Sequence, residues 1–285
     1  MKIMYIDFSV LAYRNLFSMK TTIDQFGYEI LRHVFIKNIM AYIRDFSPNR
    51  VYIAVDVGKS WRKEVYTLYK GKRKEARDKQ DVDWKGFYDL CNSVTDELKK
   101  NFPVYVVGIN TVEADDIIAY LVMNEDPDTN KIIITSDKDY VQLLKHPNTK
   151  IYDPIRTKYM ECNNPYHALE VKICAGDKSD NIPSIAPRWG EKTAEKHILS
   201  GKLELMLEEK DADGSPCEMK RNYERNTRLI DMERIPKTIQ KQIETYLEDY
   251  ELSTHKGIMK YFVQHKLSEL LGEIAKIRGY LDKLS

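Results

Sequence analysis

Four short runs rich in β-branched residues, at 3–6, 50–55, 104–107 and 131–135, are separated by stretches with helical periodicity. Apolar runs of this length read as buried strands. Strands alternating with helices predict an α/β fold, a mainly parallel central sheet with helices on both faces. Residues 29–44 and 113–123 read as two of the helices. Ile30, Val34, Ile36 and Met40 give the first an apolar face.

The strands end in acids. Asp7 follows the first run, Asp56 the second and Asp137 the fourth, while Glu113, Asp115 and Asp116 open a helix just beyond the third. In open parallel sheets functional groups gather at the carboxyl ends of strands. Asp137 and Asp139 are two apart, so at an extended strand end both side chains point the same way. Asp177 and Asp180 are three apart, close to one helical turn. Any one of these acids is more simply a turn residue or helix cap. Several strand ends converging on acids is harder to explain by caps. Crowded carboxylates repel and raise each other's pKa, and hard divalent ions such as Mg²⁺ or Mn²⁺ relieve that.

The order of motifs resembles the flap endonuclease and 5′-3′ exonuclease family, and within it the ribonuclease H type of T-even phages. The likeness is carried by Ile6-Asp7-Phe8-Ser9, Tyr69-Lys70-Gly71-Lys72-Arg73, Val112-Glu113-Ala114-Asp115-Asp116, Thr135-Ser136-Asp137-Lys138-Asp139 and Gly176-Asp177-Lys178-Ser179-Asp180-Asn181-Ile182-Pro183. Segments 223–235 and 256–270 are similar to the phage subgroup. The resemblance implies a PIN-like 5′ nuclease core and two Mg²⁺ ions, with Mn²⁺ able to substitute. It implies Asp7, Asp56, Glu113, Asp115 and Asp137 as ligands of the first ion, and Asp139, Asp177 and Asp180 of the second, with Asp139 near both. Asp116 stands where the family has an acid or an amide. The implied substrate is duplex DNA with a 5′ flap or RNA primer, cleaved as in lagging-strand primer removal. A sliding clamp and a single-strand-binding protein are the implied partners, and a monomer in the cytoplasm of a bacterial host the implied setting.

The chain of 285 residues has a net charge of only +1, which alone argues against a polyanion partner. The distribution argues for one: residues 59–79 hold nine lysines and arginines against Glu64, Glu75 and Asp78. This charged, tyrosine-bearing stretch lies within 58–100, which reads as an insertion projecting from the sheet and matches the family's helical arch. Lys63, Lys70, Lys72, Arg73 and Arg77 would neutralise phosphates, and Tyr66 and Tyr69 would stack on unpaired bases. The plainer reading is a solvated helix with internal ion pairs. By resemblance, Lys70 and Arg73 or Arg77 touch the scissile phosphate, and Lys70, Arg73, Asp137 and Asp139 are the candidate catalytic residues. Arg32 completes the candidate contacts of the core.

After residue 180 strand patterns stop. Residues 191–199, 202–209, 219–231, 236–248 and 256–283 read as helices, with a loop at 211–216. The expected division is a nuclease core at 1–180 and a helical DNA-binding subdomain at 181–285. By resemblance the latter carries a helix-hairpin, with Arg188, Lys192 and Thr193 on phosphate. Pro187-Arg188-Trp189 departs from the family's Gly-hydrophobic-Gly loop.

Other chemistries fit poorly. Lys192-Thr193 is preceded by Glu191, not by the glycine of a phosphate-binding loop. In the 211–216 loop the glycine is misplaced for an EF-hand. An aspartyl-phosphatase expects paired aspartates after the first strand, where Ser9 stands. Cys91, Cys162, Cys174 and Cys217 form no paired motif and read as free thiols. No run is long and apolar enough to cross a membrane. A scaffold of the same fold that binds DNA without cutting it predicts lost carboxylates, and none of the matched acids is missing.

Overall fold

The computed structural model describes residues 1–284. In chain order its first half comprises β1 (Lys2–Asp7), α1 (Phe8–Ser18), α2 (Lys20–Phe26), α3 (Glu29–Phe46), β2 (Arg50–Ala54), α4 (Arg62–Val65), α5 (Arg73–Asp78), α6 (Trp84–Asn101), β3 (Tyr105–Val107), α7 (Ala114–Asn124) and β4 (Asn130–Ile134). A 3-10 helix (Lys138–Lys145) then leads to β5 (Thr149–Asp153), β6 (Lys158–Tyr159) and α8 (Pro165–Ala175). Next come α9 (Glu191–Leu199), α10 (Lys202–Glu208), α11 (Glu218–Ile230), α12 (Lys237–Glu248), α13 (Ile258–Gln264), α14 (Ser268–Gly272) and α15 (Ile274–Leu281).

The sheet runs β3-β2-β1-β4-β5-β6, parallel except for β6. Side chains alternate across it as a pleated strand requires. Met4, Ile6, Val51, Ile53, Ile132 and Ile134 enter one core, and Ile3, Tyr5, Tyr52, Ala54 and Ile133 the other. The chain leaves β1 toward β2 on one side and returns to β4 on the other, so β1 is the topological switch point. Its register places Asp7 opposite Ala54 and Ile6 opposite Ile134. The carboxyl ends of three strands are thereby level.

Three expectations change. The insertion that leaves the sheet is shorter than 58–100, because α6 buries Phe87, Leu90, Val94 and Leu98 in the first core. The expected helix at 256–283 is broken into α13, α14 and α15, with Lys266 in the left-handed region at φ 54° between the first two. The tail also packs differently from a separate subdomain. Phe262, Ile277 and Leu281 join the first core, and Ile239 and Ile243 of α12 the second. Among the described residues, α8 to α11 contribute to two further small cores, one of Ile173, Leu229 and Ile230 with Tyr69 and Ile182, and one around Ile185, Ala194 and Leu203.

Candidate active site

Asp7 ends β1 and caps α1, accepting from the Val10 N–H at 3.1 Å. The Tyr140 hydroxyl donates to it at 3.2 Å from the 3-10 helix. Burial, helped by Asp56 and Asp137, pushes its carboxyl up to about 7. Asp56, exposed just past β2, accepts from the Ala114 N–H at 2.8 Å, at the N-terminus of α7, and from Ser9 Oγ. Asp137 caps the 3-10 helix and accepts from the Asp139 N–H at 2.8 Å. The two acids are therefore not on an extended strand end as expected; the chain turns between them.

Glu113 caps α7 in a capping box with Asp116. Carboxylate oxygens of Glu113, Asp115 and Asp116 lie within 4.8 Å of one another. The buried guanidinium of Arg62 stands among them, 2.7 Å from Glu113, 2.8 Å from Asp116 and 3.6 Å from Asp115. Against burial, Lys70 and Arg62 hold Glu113 down at about 2. Burial raises Asp115 despite Arg62, with Asp116 and Glu113 adding to the rise. Asp115 Oδ1 is buried with no hydrogen-bond donor. A buried carboxylate oxygen that lacks a hydrogen-bond donor and meets Arg62 only at 3.6 Å, among other oxygen donors, fits a hard divalent cation. Asp116 differs from it: both oxygens are engaged by Arg62, and Oδ2 also by Trp61 Nε1 at 2.8 Å and the Glu113 N–H at 3.2 Å. Through these bonds Asp116 anchors Arg62 within the acid group.

Asp139 and Asp177 share the ammonium of Lys172. Burial and Asp137 push Asp139 up to about 6 even so. Against burial, hydrogen bonds from Ser179 and Lys172 hold Asp177 at about 2. Asp177 and Asp180 do not share a helical turn. Asp177 accepts from the N–H groups of Ser179 and Asp180 in a tight turn. Asp180 is drawn instead to Lys70, Arg73 and the Tyr69 hydroxyl, which lies 3.1 Å from both Asp180 and Glu113.

A groove of about 550 Å³ opens beside Asp56 and Glu113. Lys63, Lys70, Arg73 and Arg77 line it with them. Residues 2–178 match the family model described as 5′-3′ exonuclease, N-terminal resolvase-like domain, and residues 166–277 that described as T4 RNase H, C terminal. This chain belongs to the 5′-3′ exonuclease family. The ribonuclease H of Enterobacteria phage T4 is 31% identical, over 94% of this chain and 93% of that protein. DNA polymerase I of Lactococcus lactis subsp. cremoris is 28% identical over 73% of this chain and 25% of its own length. Solved bacteriophage T5 5′-exonuclease with bound zinc superposes with a TM-score of 0.68 at 18% identity, covering 88% of this chain and 100% of that one. The protein is a nuclease of the 5′-3′ exonuclease and flap endonuclease type.

Not every expected contact of this exonuclease-family chain faces the groove. Tyr69 is 1% exposed and packs with Ile173 and Ile182, so it cannot stack on a base. Tyr66 is half-buried beneath the Arg225 guanidinium, 5.3 Å from its ring. Arg32 is buried between α3 and α6, bound to Glu97, Ser93 and Glu29, which makes it a structural ion pair. Lys63 and Lys72 are exposed, and Arg77 donates to the Tyr88 hydroxyl at 2.9 Å. Lys70 sits in the left-handed region at φ 53°, its N–H donating to Asp180 O at 2.8 Å. On the hairpin, Gly190 caps α9, Lys192 and Arg188 are exposed and Thr193 is half-buried. None of these three lines the groove. Sequence reasoning missed Arg62, Lys172 and Tyr140 as parts of the site. Arg62 looked like one more base of a basic run, and nothing local marks the other two.

Proposed function

We propose that this nuclease hydrolyses phosphodiester bonds near the 5′ end of flapped, nicked or RNA-primed duplex DNA with two Mg²⁺ ions. In replication this would remove lagging-strand primers. The observation that carries the reading is the groove that sets Asp56, just past β2, and Glu113, at the start of α7, against Lys63, Lys70, Arg73 and Arg77.

When bound, the ions neutralise phosphate charge and lower the pKa of a water. Asp7, Asp56, Glu113, Asp115 and Asp137 are the oxygen donors for one, and Asp139, Asp177 and Asp180 for the other. Lys63 and Arg77 bind the backbone of the 5′ strand along the groove. The Lys70 ammonium, now held by Glu113, and the Arg73 guanidinium, held by Asp180, turn to the scissile phosphate and steady its growing negative charge. Water oxygen bonds to phosphorus, the bond to the 3′ oxygen breaks, and that oxygen takes up a proton. A 5′-phosphate and a 3′-hydroxyl result. On the hairpin, Arg188, Lys192 and the N-terminus of α9 offer a grip on duplex phosphates.

Product mapping on matched flap, nicked and RNA-primed duplexes, with and without Mg²⁺, tests this. Short 5′-phosphorylated fragments that appear only with the ion are expected. DNA binding without any cleavage in Mg²⁺ or Mn²⁺ would favour a non-catalytic scaffold.

A further inference from the structure

Lys172 joins two acids that arrive on separate segments. It lies on the last turn of α8, and its ammonium contacts Asp139 Oδ1 and stands 2.9 Å from Asp177 Oδ2. The direction of α8 is set by the Asn164 cap, by Pro165 at its first turn and by Ile173 and Cys174, which are buried. Beyond it Gly176 turns at φ +72°, where a Cβ would meet Ile182 O at 2.5 Å. Paired bonds between the backbones of Asp177 and Ile182, at 2.9 and 2.7 Å, then fix Asp177 beside the helix end. Asp139 comes from the first turn of the 3-10 helix. Lys138 and Lys178, the sequence neighbours of these acids, remain exposed. No lysine or arginine pairs with Asp7, Asp56 or Asp137 among the described residues, although all three are as acidic by composition.

We infer that Lys172 competes with the second divalent ion, holding Asp139 and Asp177 together without it and yielding both carboxylates when it binds. The inference rests on the two-ion reading above. An ammonium already neutralises part of the charge that an ion would meet, so an ion gains less there than at unpaired carboxylates. All three acids of the second site are paired in this way, whereas in the first Lys70 and Arg62 reach only Glu113 and Asp115. On this inference the second site is the weaker one, with Lys172 setting the metal concentration that the enzyme needs. Lys172 is a positioning residue in this scheme and touches no substrate.

Calorimetric titration of Mn²⁺ into the full chain tests it, using wild type, Lys172→Met, Lys172→Arg and Asp139→Asn. Lys172→Met is expected to tighten the weaker site by about tenfold or more, from the size of coupling between close charges, and to leave the tighter site unchanged. Its melting temperature in EDTA is expected to fall, and its gain on adding Mn²⁺ to exceed that of wild type. Lys172→Arg keeps the charge and is expected to keep the weak affinity, which separates competition from packing. Asp139→Asn is expected to weaken or remove the weaker site. Two sites in wild type with an unchanged or weakened second site in Lys172→Met overturn the Lys172 inference alone. One site in wild type and one in Lys172→Met overturn it together with the two-ion reading. One site that becomes two in Lys172→Met supports it.

Discussion

The acids at the strand ends and the acids on the loops past β4 carry the same charge but are held in different ways. Asp7, Asp56 and Asp137 are fixed by backbone N–H donors of Val10, Ala114 and Asp139, each at the start of a helix. Partial positive charge there steadies a carboxylate without supplying a counter-ion. Asp139, Asp177 and Asp180 are instead neutralised by Lys172, Lys70 and Arg73. The first group is rigid and short of cations. The second is paired, and its pairs must open before another cation can enter. One half of the site is thus built into the sheet, while the other depends on side chains that can move.

Substitutions that hit each half should separate them. Asp137→Asn removes an unpaired acid, so kcat is expected to fall by roughly 10³-fold or more. Binding of flap DNA, read by anisotropy in Ca²⁺ or EDTA, should change little. Asp139→Asn should be partly rescued by added Mn²⁺ where Asp137→Asn is not. Equal rescue of both would erase the distinction between the halves. Arg62→Met strands the α7 acids around an empty position. Loss of one partner in a buried ion network costs about 3–5 kcal/mol, so a large drop in the urea midpoint is expected. A loss below about 1 kcal/mol would mean that solvent reaches these acids more freely than their burial implies. Lys70→Ala should lower kcat by about 10²-fold, the scale of losing one preorganised charge, with KM altered only a few-fold. A change confined to KM would make Lys70 a backbone contact.

How far the sequence foretold this depends on whether a signal was local. Parallel strands buried on both faces leave uninterrupted apolar runs, so β1, β2 and β4 are legible, and with them Asp7, Asp56 and Asp137. β5 was not, because Lys150 interrupts Thr149, Ile151 and Tyr152 and Asp153 ends the run. α8 was not, because its apolar residues are spread around the helix and it buries only Ile173 and Cys174. The helical span 84–101 was misread through its charge; its buried stripe of Phe87, Leu90, Val94 and Leu98 keeps helical spacing. Tyr69 looked available because its motif places it beside Lys70 and Arg73, whereas tertiary packing buries it, as it buries Arg32. Arg62 and Lys172 act on acids 51 and 33 residues away, distances at which spacing carries no information.

The smallest effect comes from protons, and it distinguishes the halves without mutation. In the metal-free protein Asp7 is pushed up to about 7 and Asp139 to about 6, mainly by burial. Unfolded, both return to about 4. Between about pH 4 and 7 the folded state therefore binds protons that the unfolded state has released, and stability falls as pH rises through this window. Glu113 and Asp177, held at about 2, act in the opposite sense only below about pH 4. Divalent ions bind the deprotonated carboxylates and offset the loss. Their gain in melting temperature should accordingly be larger at pH 8 than at pH 5.5, by a few degrees for each kcal/mol recovered. Because Asp7 has no lysine partner, Asp7→Asn should flatten this pH dependence more than Asp139→Asn. The reverse order would show that the loop acids, and not the strand ends, carry the strained charge.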